Sequence, residues 1–321
     1  VSAGFGIKGI QNQFLSSTSL REYRGLSFSI GGDPNATTVA NMVFVYYILK
    51  RKVTKTLIFH LFNSSNDMFN AAQSGAHSSD LQHELDYLLP KMQKQTPANQ
   101  SGWKMLNVFI GSNDLCAICE EGLGSPTEYG QNILAALERI RSTVDNVFVN
   151  LSTYIYPIQL HTVCWVLMSY FEMQQVGMIH VDQIYKLTDG SDYCEPFRNS
   201  SFVLHDYECP CAHSAANQTI MAQNVELYNQ ALQSVYYTYK AMNFPTFAVA
   251  YQPLPVDILS FPITAISNID CFHPSLMAHQ WLAKMIWNMF YMQQAQKPST
   301  LIFDPAAPVY CPMDTDRIQI L

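Results

Sequence analysis

The hydrophobic and polar positions of the chain alternate between two periods. Thr56 to Phe62 (TLIFHLF) is a short apolar run and predicts an early buried strand. Ser79-Asp80-Leu81-Gln82 then has the form of a capping box, and it opens a helical stretch with Leu81, Leu85, Leu88 and Leu89 on one face. Lys104 to Ile110 (KMLNVFI) predicts a strand buried on both sides and halted by Gly111. Ser125-Pro126-Thr127-Glu128 is a second capping box with Pro at the first helical position, followed by Ile133, Leu137 and Ile140 at helix spacing. Val147-Phe148-Val149 is the next strand. A long helix over 219–242 places Val225, Tyr228, Leu232 and Val235 on one face, and Thr246 to Tyr251 (TFAVAY) follows as a strand. A last helix over 275–291 turns Leu282, Met285, Ile286 and Met289 inward.

Strands alternating with helices imply a parallel sheet covered by helices on both faces. The expected architecture is therefore α/β, a three-layer α/β/α sandwich around a mostly parallel central sheet. No internal repeat or linker interrupts the chain, so residues 1–321 read as one domain. The stretch from about 155 to 215 departs from the rhythm. Rich in aromatics, Met, Cys and sequons, it reads as an insertion lying partly over the functional face.

Composition narrows the class. Charged residues are 13 % of 321, against roughly 25 % in an average soluble domain, while 48 % are hydrophobic. A net charge of −7, with no basic run longer than Lys50-Arg51-Lys52, leaves no footprint for a nucleic-acid backbone. The longest apolar run, Val39 to Leu49, is about half of the roughly 20 residues a membrane-spanning helix needs. The chain opens on Val1 and not on an initiator Met, and it reads as a processed protein or as part of a longer one.

The 8 cysteines allow up to four disulfides, with no pairing selected by the sequence. Cys116 and Cys119 with Cys209 and Cys211 also have the composition of a four-cysteine zinc site, although Cys209-Pro-Cys211 is tighter than the usual spacing. Structural disulfides are the primary expectation. Asn-X-Ser/Thr sequons occur at Asn35, Asn63, Asn99, Asn150, Asn199 and Asn217, and together with the cysteines they point to the secretory pathway. Asn150 is the exception, since it ends a predicted buried strand.

In an open parallel sheet, chemistry gathers at the carboxyl ends of the strands. Three segments fall there. Asn70-Ala-Ala-Gln-Ser-Gly75-Ala is a small-residue turn ahead of a capped helix, suited to presenting the Gly75 N–H to an anion. Gly111-Ser112-Asn113-Asp114 directly follows a strand, and the Asn113 amide is a neutral donor suited to a developing oxyanion. Asp270-Cys271-Phe272-His273-Pro274 spaces an Asp three residues before a His, so that the carboxylate can hold Nδ1 and aim Nε2 at a nucleophile. Each segment also has a plain structural reading, as a turn, a cap or a helix start.

In this order the three segments resemble the blocks of the SGNH (GDSL) hydrolases. Arg21-Glu-Tyr-Arg-Gly-Leu-Ser-Phe-Ser-Ile-Gly-Gly-Asp33, Phe109-Ile-Gly-Ser-Asn-Asp-Leu-Cys116, Cys209-Pro-Cys211 and Asp270-Cys-Phe-His-Pro-Ser275 are similar to the phospholipase B branch of that family. The resemblance implies His273 as general base, Asp270 as its orienting acid, and Gly75 and Asn113 as oxyanion-hole donors, with no cofactor or metal. It places Val1 on the Leu of the family's Gly-Asp-Ser-Leu motif, so the nucleophilic Ser is expected just before Val1, preceded by the first strand of the sheet. Ser2 aligns two residues too late to replace it. Arg21, Arg24 and Asp33 are candidates for a lipid head group or for a buried salt-bridged turn, and His279 reads as a packing or helix-surface residue rather than a second base. The implied activity is hydrolysis of phospholipid or lysophospholipid esters by a secreted protein working at a membrane or micelle surface, with a membrane-associated full-length parent as the variant of that expectation. An esterase for acetylated carbohydrate and a non-catalytic lipid-binding relative are the competing readings.

Overall fold

The structure, a computed structural model, describes residues 3–10, 19–42, 69–94, 102–120, 123–153, 180–194, 204–313 and 315–319. The strand expected over 56–62 lies outside them, as do Val1, Ser2 and the sequons at Asn63, Asn99 and Asn199.

Three strands, β1 (Lys104–Val108), β2 (Val147–Thr153) and β3 (Phe247–Pro253), form a parallel sheet in the order β1-β2-β3. The register pairs Lys104 with Val147 and Val147 with Phe247, so the carboxyl ends of the strands lie along one edge. The architecture is the expected α/β one with a parallel sheet. Val147, Val149 and Leu151 are fully buried in the central strand. Asn150 is buried beside them, and its Nδ2 donates to Oδ1 of its register partner Asn107 at 2.8 Å. β1 departs from expectation. It is half-buried along its length, because it borders the described sheet, and it ends at Val108, so that Phe109 and Ile110 are left to line a cavity.

The helices, in chain order, are α1 (Leu81–Gln93), α2 (Ser112–Cys116), α3 (Pro126–Thr143), α4 (Ile184–Thr188), α5 (His205–Glu208), α6 (Ala215–Met242) and α7 (Leu276–Met289). The predicted apolar faces are the buried ones: Leu81, Leu85, Leu88 and Leu89 in α1, and Ile133, Leu137 and Ile140 in α3. α3 packs on α1 and α6, and Tyr129 stacks on Tyr228 with centroids 4.5 Å apart. The starts of two helices differ from expectation. The first capping box lies slightly earlier, on His77 and Asp80, with Asp80 Oδ2 accepting from His77 N at 2.9 Å. Asp114 binds Ser78 and so fixes that turn from outside the local sequence. α6 starts at Ala215, ahead of the expected 219, because Ser214 Oγ caps it by accepting from Asn217 N.

The stretch 155–215 is described at 180–194 and from 204 onward, where it forms short turns and the helices α4 and α5. Disulfides Cys116–Cys209, Cys119–Cys211 and Cys194–Cys271 tie it to the rest of the chain. The zinc alternative for the first four cysteines is thereby overturned, since each sulfur is bonded to another. Cys311 is exposed, and Cys164 lies outside the described residues.

Candidate active site

All four candidate residues converge. Gly75, Asn113 and His273 line one cavity of about 180 Å³, with Asp270 buried directly behind His273. Most of the remaining wall is apolar, including Phe5, Phe28, Phe109, Ile258, Phe261 and Phe272.

The Asp270–His273 turn is built by its own carboxylate. Asp270 Oδ1 accepts from Phe272 N at 2.9 Å and His273 N at 3.0 Å, and this leaves Oδ2 to accept from His273 Nδ1 at 2.9 Å. With Nδ1 as donor, Nε2 is the basic nitrogen. Cys271 sits in the left-handed region at φ 50°, which a non-glycine residue adopts at a cost, and its disulfide to Cys194 anchors it there. Burial pushes the His273 imidazole down, but the charge and hydrogen bond of Asp270, together with Glu208, carry it above the ordinary histidine value. The N-terminal segment is laid alongside: Ser267 Oγ donates to Gly6 O at 2.6 Å, Leu276 N donates to Ile7 O at 3.0 Å, and the Phe5 ring meets the His273 ring edge-on at 5.3 Å.

The donors face this base from two other turns. Gly75 has φ 79°, and a Cβ there would meet nothing within 4 Å, so its backbone is open to the cavity. Its loop is held at several points. Arg24 Nη1 donates to Asn70 O at 3.0 Å, Gln73 N to Glu84 Oε1 at 3.0 Å, and Ser74 Oγ to Glu22 Oε1 at 2.7 Å. Gly111, at φ 116°, turns the chain from β1 into α2 as only glycine readily does. Asn113 Nδ2 donates to Ala76 O at 2.7 Å, which orients its amide and leaves the second N–H for another acceptor. The adjacent Asp114 is buried and accepts from Ser78 N at 2.9 Å and Ser78 Oγ at 2.6 Å, tying the two donor turns together.

Other sequence candidates resolve differently. Arg24 pairs with Glu22 at 2.7 Å, so a salt bridge is present in this turn, but it is half-buried and not buried as expected. His279 is fully buried, and its Nδ1 accepts from Phe28 N at 3.1 Å; burial, and secondarily His273, hold it neutral with a pKa pushed down to about 3. Of the two readings given to it, packing is the observed one. Missed altogether was Glu208, whose Oε2 lies 3.9 Å from His273 Nδ1. Glu208, Asp270 and His273 each offer a ligand atom within 4.8 Å of one another. Because His273 Nδ1 and both Asp270 oxygens are already engaged in hydrogen bonds, the trio reads as a proton-holding cluster rather than a metal cage. Among the described residues, no helix is long and apolar enough to cross a membrane.

A base oriented by an acid, opposite paired donors in an apolar cavity, can activate a hydroxyl and stabilise the oxyanion formed when it attacks an ester. Comparison with known proteins agrees with that chemistry. The chain is 27% identical over 309 residues to the membrane-associated phospholipase B1 of Homo sapiens, and 26% identical to those of Rattus norvegicus and Mus musculus. These alignments cover 91–92% of this chain and 19% of each relative, so the chain spans about a fifth of the length of the curated relatives it matches. No solved structure matches it significantly. The family model for the GDSL-like lipase/acylhydrolases matches residues 25–286, which take in Gly75, Asn113, Asp270 and His273, and the chain belongs to that family.

Proposed function

We propose that this chain is the hydrolase domain of a secretory-pathway phospholipase that releases fatty acids from phospholipids and lysophospholipids. The observation that carries the reading is the convergence of an Asp270-oriented His273 with Gly75 and Asn113 on one largely apolar cavity. The nucleophile is the serine expected just before Val1. Ala3 and Phe5 lie on the cavity wall, so the N-terminal segment described from Ala3 onward runs beside His273.

In this mechanism His273 Nε2 takes the serine proton as the hydroxyl attacks the acyl carbonyl. The Gly75 N–H and the Asn113 amide hold the oxyanion. The tetrahedral intermediate collapses as His273 returns the proton to the departing glycerol oxygen, leaving an acyl-enzyme. Water, deprotonated by the same nitrogen, then releases the fatty acid and restores the serine. Asp270 holds Nδ1 and stabilises the imidazolium. The Phe and Ile side chains of the cavity suit an acyl chain better than an acetylated sugar, whose hydroxyls would lack partners there.

The test uses the polypeptide that includes the residues upstream of Val1. One oxyanion donor is worth on the order of 3 kcal/mol, so Asn113→Ala is expected to lower kcat on a lysophospholipid by about 10²–10³-fold with an unchanged unfolding transition. Ester hydrolysis that survives both Asn113→Ala and His273→Ala overturns the proposal. A panel of acetyl sugars run beside phospholipids separates the carbohydrate esterase.

A further inference from the structure

The base is faced by two carboxylates, and the mechanism above uses one. Asp270 belongs to the same turn as His273. Glu208 comes from α5, more than sixty residues earlier in the chain, and approaches the same nitrogen, Nδ1, to 3.9 Å. That is too long for a hydrogen bond and close enough for a strong charge interaction. Its side chain is only 21 % exposed, so water screens it weakly.

The placement is heavily restrained. The residue after Glu208 is Cys209, bonded to Cys116 at the end of the helix that carries Asn113. His205, at the start of α5, donates from Nδ1 to the carbonyl of Asp270 at 3.1 Å. Tyr185 holds the segment from beneath, donating to His205 O at 2.8 Å and accepting from Cys209 N at 3.1 Å. A carboxylate on a surface turn would drift into solvent. This one is fixed between the two halves of the site.

We infer that Glu208 is a positioning residue, a second acid that stabilises the His273 imidazolium through space while Asp270 holds its tautomer. The inference rests on the reading of His273 as the base. The charged and titratable groups around the pair are Asp270 on its own turn, Glu208 and His205 on α5, His279 on α7 and Tyr185 on α4. Among the described residues, Asp270 and Glu208 are the two carboxylates that act on the imidazole; burial pushes the Glu208 carboxyl above the ordinary glutamate value, and the His273 charge beside it pulls it back down. The arrangement raises the proton affinity of His273 without adding a competing hydrogen bond to Nδ1.

The experiment has two readouts on Glu208→Gln, an isosteric change. The first is the titration of the His273 imidazole, followed by NMR of histidine-labelled protein. Its midpoint is expected to fall in the variant, and an unmoved midpoint overturns the inference. The second is turnover in the polypeptide that includes the residues upstream of Val1. There kcat is expected to drop about 5- to 10-fold with KM unchanged and with the acidic limb of the pH profile displaced to lower pH. A KM effect alone overturns it. Should the glutamine variant not fold, Glu208→Asp withdraws the charge by one methylene, and the same midpoint must move down or the inference fails. The NMR titration does not depend on ester hydrolysis, so an inactive parent protein refutes the proposed function while leaving this test intact.

Discussion

Replacing His279 by Asn should flatten the acid side of the stability profile. His279 is fully buried in α7, its Nδ1 accepts from Phe28 N, and its pKa is pushed from 6.5 down to about 3. In the unfolded chain the imidazole titrates normally. Below pH 6.5 the unfolded state therefore binds a proton that the folded state refuses, and stability falls with acid until the folded group itself titrates. Each pH unit is worth about 1.4 kcal/mol, so the loss attributable to His279 is about 2 kcal/mol at pH 5 and approaches roughly 5 kcal/mol near pH 3. Against a total stability of about 5–15 kcal/mol, a loss of that size is a large fraction. Asn at 279 can present Oδ1 to the same Phe28 N–H and carries no titrating group. The raised pKa of His273 acts in the opposite sense, contributing stability below its unfolded value that is lost as pH rises through the folded one, and it is common to both proteins. Urea unfolding at about pH 7.5 and about pH 5, followed by circular dichroism, isolates the difference. Wild type should lose about 2 kcal/mol more than His279→Asn across that interval. Equal losses would refute the assignment of a neutral, acid-sensitive histidine, whatever offset the variant shows at the higher pH.

Asp270→Asn should keep the turn, since an amide oxygen still accepts from Phe272 and His273, but it frees the wrong imidazole tautomer; kcat should fall by about 10⁴-fold in steady-state hydrolysis, and a loss under about tenfold would contradict the pairing. The double change Cys194→Ser with Cys271→Ser removes a cross-link spanning 77 residues, worth on the order of 4 kcal/mol in chain entropy, and should lower the midpoint of urea unfolding as well as turnover. Among the sequons, peptide mass spectrometry on protein from a secretory host should find a glycan on the exposed Asn35 and none on Asn150, whose amide is buried in the sheet; an occupied Asn150 would contradict the strand register.

What the sequence made legible follows the range of the interactions involved. The strand starts at Lys104 and Val147, the apolar faces of α1 and α3, and the Asp270–His273 turn are all set by residues within a few positions of one another, and periodicity or spacing exposes them. The Asn113 turn was legible for the same reason, lying between β1 and α2, and the Gly75 turn as a small-residue segment ahead of α1. The misplacements have distant causes. The cap at His77 is fixed by Asp114, and Glu208 reaches His273 through disulfides that bridge 93 and 92 residues. No local pattern in Tyr-Glu-Cys-Pro-Cys distinguishes that glutamate from a solvated one, and the cysteines alone admit too many pairings to place it.

The described part of the 155–215 stretch links turns that are distant in the sequence. In the proposed mechanism the separation of the Gly75 and Asn113 turns from His273 must hold to about 0.5 Å, and these turns lie far apart in the chain. The sheet fixes where those turns emerge but not how their tips face. Residues 204–213 link these turns: one disulfide ties them to Cys116 at the end of α2 and another to Cys119 just beyond it, while His205 and Glu208 engage the Asp270–His273 turn. Cys194 clamps the other side of that turn through Cys271. The Asn113 turn, the Asp270–His273 turn and residues 204–213 are therefore linked into one closed frame.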